Sequence, residues 1–392
     1  MKESKRTQIK KSNGLLYSYL QDDNKRRYVI GIAVMIIVIG IIMMLAGRVT
    51  RVNIKAGESS DYVKAVVLKV VEDESSHKEF GGHQKVQVKI TRGKYKGQVC
   101  ELTNSNSYQL GAYCVEGTKV IARIAADENG NITGAVFNYD REGVVWFLVA
   151  AFAISLIVIG GKKGVSSLVA LVYTMLCIVF CYIPLIYIGV NPMFAAVVSA
   201  IIILCATIFL INGWSDKSCC AMIGTTVGVT ISGMFAFIAG QVSHLSGYNM
   251  TDVESMVYIS NYTHLGVADI LFAGILISSL GAVMDVSVSV VAAIKEISVK
   301  APELGFKDLF MSGMHVGHDM MGTMSNTLIL AYVGAATGTV LTIYSYEMPY
   351  LQIMGYNSIV IEIVSGICGT IGVILTVPVQ AAITAFWLNK KK

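Results

Sequence analysis

Charge is scarce in this sequence. Asp, Glu, Lys and Arg make up 15% of its 392 residues while 54% are hydrophobic, and mean hydropathy is +0.62. A soluble domain carries about a quarter charged residues, so a membrane protein fits better than two or three soluble domains. Enzyme motifs are missing too. No HExxH, GxSG or GxGD occurs, and Gly317-His318-Asp319 lacks the second glycine of the last pattern. Without a Walker A motif, an ATP-driven pump would need a partner chain. The chain is therefore expected to be no enzyme and to use no cofactor.

What is present is a series of long apolar runs, at 28–47, 143–160, 165–188, 193–211, 219–240, 266–284, 322–344 and 358–388. Each is near or above the roughly 20 residues that cross a bilayer, which predicts an α-helical polytopic protein of about eight transmembrane helices. The first run resembles a signal peptide but ends in MLAGR with no A-x-A site, so an uncleaved signal anchor is expected.

Lys and Arg are absent from the connections 189–192, 241–265 and 345–357. They cluster instead in the first 27 residues, at Lys162, Lys163, Lys217, Lys295, Lys300 and Lys307, and at Lys390, Lys391 and Lys392. This alternation follows the positive-inside rule and predicts a plasma-membrane protein with both termini in the cytoplasm. The basic tail suits anionic lipid; no nucleic-acid fold or aromatic interleaving accompanies it.

The stretch 48–142 departs from the apolar pattern. Alternating segments such as QKVQVKIT, in which Val86, Val88 and Ile90 share a face, predict strands at 62–72, 84–91, 97–103, 118–125 and 131–139. Turns are expected at Gly81-Gly82, Arg92-Gly93 and Asn129-Gly130. Five short strands suggest an OB-like β domain, expected outside the cell because long segments translocate largely regardless of charge. Six of the eight cysteines lie in apolar runs; Cys100 and Cys114 lie here, and separation alone leaves open whether they pair. His77 and His83 read as solvated loop histidines. The expected layout is thus a basic tail (1–28), a signal anchor (29–47), the β domain (48–142), seven helices (143–388) with a cytoplasmic amphipathic segment near 302–316, and a short basic tail (389–392).

Chemistry concentrates in two segments. In HVGHDMMGTMSNTLILAYVG, helical spacing aligns His315, Asp319, Gly322 and Asn326, with His318 and Ser325 beside them. In the sixth run, Ser278, Gly281, Asp285 and Ser289 recur at the same spacing. That run stays apolar from 266 to 294, roughly 43 Å at about 1.5 Å per residue; a helix this long either overhangs or breaks near Asp285. Topology puts Asp285 and Asp319 at similar depth near the cytoplasmic side. There they would share a proton, bind a cation, or pair with His318 or His315. The plainer alternative makes them helix-end residues in the headgroup zone. His315, His318 and Asp319 could face one ion, but isolated HxxHD is weakly specific and no metal is expected. Asp269 and Glu362 each sit about four residues inside the outer end of their run, at matched depth, forming an outer vestibule or reaching the headgroups. Gly224 and Gly228, like Gly334 and Gly338, permit close helix approach, and Pro184 and Pro378 are expected to bend their helices.

GAVMDVSVSVVAAIKEI followed by MHVGHDMMGTMSNTLILAYVGAA closely resembles the YibE/F family of multispan bacterial membrane proteins. The resemblance covers the whole layout and is diagnostic in these two segments. It implies a permease of unassigned substrate, with the motif falling on Gly281, Asp285, Gly317, Asp319, Gly322, Thr323 and Asn326. In the family pattern the His318 position is often arginine, which implies a positive or hydrogen-bonding partner for Asp319.

The functional expectation is a membrane permease for a small solute or ion. Asp285 and Asp319 would bind a cation or proton, Thr323 and Asn326 would supply neutral ligands, and His318, His315 and Ser289 would stand beside them. Gly281, Gly317 and Gly322 would serve the backbone and packing. Expected partners are the lipid bilayer, the solute, and a second membrane protein or further copies of the chain. The alternative is a non-transporting sensor or assembly scaffold that uses the β domain.

Overall fold

Alternation of apolar and polar residues builds a closed barrel in the first part of the chain. The computed structural model describes residues 60–74, 81–105, 111–126, 132–247, 253–263 and 266–390, with Gly40, Ile41, Met44 and Gly47. The basic tail, nearly all of the predicted signal anchor, His77, Asn129-Gly130 and the last two lysines lie outside these residues. Two compact units result, Asn53–Val158 and one dominated by Ile159–Lys392.

The barrel strands are β1 (Asp61–Asp73), β2 (His83–Arg92), β3 (Val99–Ser105), β4 (Lys119–Ala126) and β5 (Ile132–Tyr139), in the closed order β1-β2-β3-β5-β4. All lie within two residues of the predicted strands. Val86 and Val88 point inward opposite Leu102 and Cys100, and Ala65 and Val67 face Ile90 and Val88 across the next ladder. Gly93 turns at φ 117, where a Cβ would stand 3.0 Å from Val63, so the predicted Arg92-Gly93 turn needs its glycine. One cross-strand pair inside the barrel is polar. Gln84 and Asn104 are paired in register and fully buried. The Asn104 amide donates to Gln84 Oε1 at 2.9 Å, and Cys114 N donates to the same oxygen at 2.9 Å. These bonds fasten 112–114 across the barrel interior, where apolar surroundings would penalise any unpaired amide. Cys114 is a free thiol that burial pushes up to about 11, and Cys100 is free as well, so no disulfide joins them. At the surface Lys64 binds Asp140 and Glu142; its hydrogen bond holds Asp140 below the usual carboxylate range.

The second unit is helical: α1 (Glu142–Cys177), α2 (Ile183–Tyr187), α3 (Pro192–Asn212), α4 (Asp216–Val242), α5 (Val253–Thr263), α6 (Val267–Lys300), α7 (Phe306–Ala335), α8 (Thr337–Ser345), α9 (Tyr350–Met354) and α10 (Asn357–Lys390). α1, which begins in the barrel unit, leaves helical geometry at Gly161, with φ 54 and ψ −131. A π-helical turn at Ile178–Tyr182 precedes Pro184, absorbing the donor that proline removes. Among the described residues, five helices are long and apolar enough to cross a membrane: Glu142–Tyr187 taken as one, α3, α4, α6 and α10. Counting the bent pair α7 and α8 makes six.

α10 is the axis of this unit and packs on α4, α6 and α7. Small residues let the backbones close: Gly372 meets Ser232, Gly228 meets Thr376, and a Cβ at Gly224 would overlap Gln380. α6 turns Phe272, Leu276, Val283, Val286, Val290 and Ile294 into the core, each fully buried, at spacings of three, four and seven that keep one face inward. It runs unbroken for 34 residues, or roughly 51 Å at about 1.5 Å per residue. The break considered near Asp285 is therefore not there: the core face passes through Val283, Val286 and Val290 without interruption. The break occurs instead at Ala336, where α7 and α8 bend by 64°. The amphipathic segment expected near 302–316 is not a separate helix either. From Phe306 it is the start of α7, held down by Leu309 and by Gly313, whose Cα lies close to Ile294 and Ala381.

Candidate functional site: an open polar face and a cavity at the helix break

Helical spacing alone divides α7 into two faces, and packing makes the division physical. Leu309, Gly313 and Gly317 are buried, and a Cβ at Gly317 would overlap Val377 of α10. On the other side His315, His318, Asp319, Gly322, Thr323 and Asn326 are all exposed. α6 repeats the pattern, with Gly274, Ser278, Gly281 and Asp285 exposed along one stripe, and a Cβ at Gly274, Gly281 or Gly322 would meet nothing within 4 Å. The two predicted stripes thus exist as continuous open faces on neighbouring antiparallel helices.

Within these faces the predicted residues are not wired to one another. Among the described residues, Asp285, His315, His318, Asp319 and Asn326 make no hydrogen bond or ion pair, and no three His, Cys, Asp or Glu side chains gather as a metal site would require. Thr323 Oγ1 donates to the Met320 carbonyl of its own helix at 2.9 Å. Ser289 is half-buried. Ser325 Oγ, beside Asn326, is buried without a partner among the described residues.

The register between α6 and α7 is set at two points. Ser278 Oγ meets the Tyr332 hydroxyl, and Ile294 lies against Gly313. In proportion, Asp285 stands level with the turn holding Thr323, and Asp319 lies about one helical turn nearer the start of α7. The two carboxylates are neighbours in height without being bonded.

Beyond Tyr332 the open faces lead to cavities at the α7–α8 break. Two of them, about 460 and 330 Å³, share Tyr332, Ala336 and Glu362. The larger reaches Gly274 and Ser278 of α6 and Thr339 of α8. Glu362 is half-buried there, with no hydrogen bond or ion pair among the described residues. Asp269, expected to share a vestibule with it, instead accepts from Asn191 Nδ2 at 3.4 Å and lines neither cavity. Asn191 caps α3, so Asp269 joins the starts of two helices.

Three residues of evident structural weight escaped the sequence reading: Tyr332, Ser287 and Gln380. Gln380 is fully buried and donates to the Cys220 carbonyl and to Thr384 Oγ1, both at 3.0 Å, while Ser287 binds its Oε1. A lone amide inside VPVQAAIT was a visible signal. Of Ser287 and the predicted Ser289 on α6, it is Ser287 that bonds, because 287 lies on the core face.

No curated protein and no solved structure matches the chain. Residues 148–390 match the family described as YibE/F-like protein, and residues 61–139 match the YibE/F family N-terminal domain. The two matches cover the helical unit and the barrel, and the chain belongs to the YibE/F family.

Proposed function

We propose that this protein is a plasma-membrane permease that moves a small solute or ion along the open face shared by α6 and α7, without chemical change to its cargo. One observation carries the reading. Asp285, His315, His318, Asp319 and Asn326 have no hydrogen-bond or ion-pair partner among the described residues and stand on largely apolar helices, and lipid solvates such groups poorly. They call for water, cargo or another polar surface. Continuous small residues, Gly274, Gly281 and Gly322, leave room alongside them.

On this reading the chain crosses the membrane eight times. Glu142–Tyr187 holds 46 residues, or roughly 69 Å at about 1.5 Å per residue, more than twice the core of about 30 Å. It reads as two crossings joined at Gly161, next to Lys162 and Lys163. α3, α4, α6, the bent pair and α10 follow, and the apolar sequence 28–47, which lies almost wholly outside the described residues, is read as the first. An even number of crossings leaves both termini on one side, and the Lys and Arg of the connections favour the cytoplasm for that side; the OB-like barrel is then outside, with Asp319 toward the inner side and Glu362 toward the outer side.

The test is flux of a panel of labelled ions and small solutes into liposomes holding the purified chain. Asp285→Asn and Asp319→Asn are each expected to lower it at least tenfold; flux indifferent to both would sink the assignment. A sensor or scaffold is the second reading, favoured by the barrel's separate core. Under it, deleting 48–142 abolishes function while both amide variants leave it intact.

A further inference from the structure

The cavity at the α7–α8 break has a chemistry of its own, separate from the Asp285 and Asp319 face. We propose that it binds a small organic ammonium ion, with Glu362 as the counter-charge. The inference rests on the permease reading for the side of the membrane it opens to and for its use in transport, but binding itself is separately measurable.

Charge comes first. Glu362 is half-buried in a cavity wall and has no cationic partner among the described residues. None is near in sequence either, since 308–389 contains Asp308, Asp319, Glu347 and Glu362 and neither Lys nor Arg. α7 ends at Ala335, while α8 and α10 start at Thr337 and Asn357 beside the same wall, so helix ends of opposite sign meet there and Glu362 supplies the net charge. An anion is disfavoured by that carboxylate.

Size and wall chemistry then separate a bare metal ion from an organic cation. At about 460 Å³ the space is far larger than the roughly 30 Å³ of one water and lies in the range of small-molecule sites. A hard divalent cation takes six or more oxygens at about 2.3–2.6 Å, and here one carboxylate stands among apolar walls such as Leu271, Ile275 and Ile361. Those walls suit carbon. Thr339 and Ser358 present hydroxyls with no hydrogen bond to another described residue, free to accept an N–H. Tyr332 lines both cavities, an aromatic ring of the kind that attracts ammonium ions.

Position gives the site a route onward. Ser278 lines the cavity and also belongs to the open stripe that continues through Gly281 to Asp285. Its contact with Tyr332 crosses from α6 to α7 between the cavity and that stripe.

Calorimetric titration of the full chain in lipid nanodiscs is the test, with methylammonium, tetramethylammonium, sodium, potassium and acetate as probes. Saturable binding of the two ammonium ions is expected, at least tenfold weaker in Glu362→Gln and unchanged in Glu347→Gln, which removes an exposed carboxylate that lines neither cavity. Gly274→Leu, which extends a side chain into open space, should weaken tetramethylammonium more than methylammonium. Binding of sodium or potassium in preference to the ammonium ions overturns the proposal, as does ammonium binding indifferent to Glu362→Gln, or none. Ammonium binding without flux upholds this site and sinks the permease reading; flux without ammonium binding does the reverse.

Discussion

A single amide joins three helices. Gln380 of α10 reaches the Cys220 carbonyl on α4 and Ser287 on α6, and Gly224 makes way for it. An interhelical hydrogen bond within a membrane averages about 0.6 kcal/mol. Gln380→Leu keeps the volume and loses the two interhelical contacts, to Cys220 and Ser287, besides Thr384 on its own helix, so unfolding by sodium dodecyl sulfate should become easier by about 1 kcal/mol. A change within about 0.5 kcal/mol would mean that Ser287 and the carbonyl find other partners. The sequence showed that Gln380 was out of place in its run, yet not what it touches, because periodicity assigns a face and never a neighbour. The same limit explains Asp269: its position near a helix end was legible, its bond to Asn191, 78 residues away, was not.

Elements show where pattern succeeds and where packing overrides it. Strand alternation located all five strands of the barrel, since period two is unambiguous when one face is buried. The α6 run predicted a helix too long for a bilayer and suggested a break at Asp285, but the core face is uninterrupted and the helix stays whole. α7 breaks instead, at a GAATG stretch valued only for close approach. Two glycines of α7 that looked equivalent are not. Gly317 is pressed against Val377, while Gly322 faces open space. Gly317→Leu should therefore cost at least 1–3 kcal/mol through overpacking, read in the same unfolding titration. Gly322→Leu should stay within about 0.5 kcal/mol and yet reduce flux by obstructing the polar face. Destabilisation of both to the same degree would show that the Gly322 face is covered in the membrane.

At the scale of the whole molecule the sequence conveyed the division into barrel and bundle, because a shift from alternating to long apolar patterning marks it. It did not convey the cavity at Glu362, which exists only once α6, α7, α8 and α10 are assembled. The proposed topology is checked by labelling with a membrane-impermeant maleimide in a Cys100→Ser background. Lys94→Cys on the barrel should react in intact cells, and Lys300→Cys at the end of α6 only after permeabilisation; the opposite pattern inverts the assignment. The closure of the barrel bears on how this domain meets other proteins. β4 returns to β1, and β5 meets β3 at the single pair Thr103 and Ala135, so among the described residues the unpaired backbone edges are confined to the β3–β5 seam. Recruitment of a partner by strand addition has that short seam to use, and recognition elsewhere must pass through side chains on the convex surface or the connecting loops.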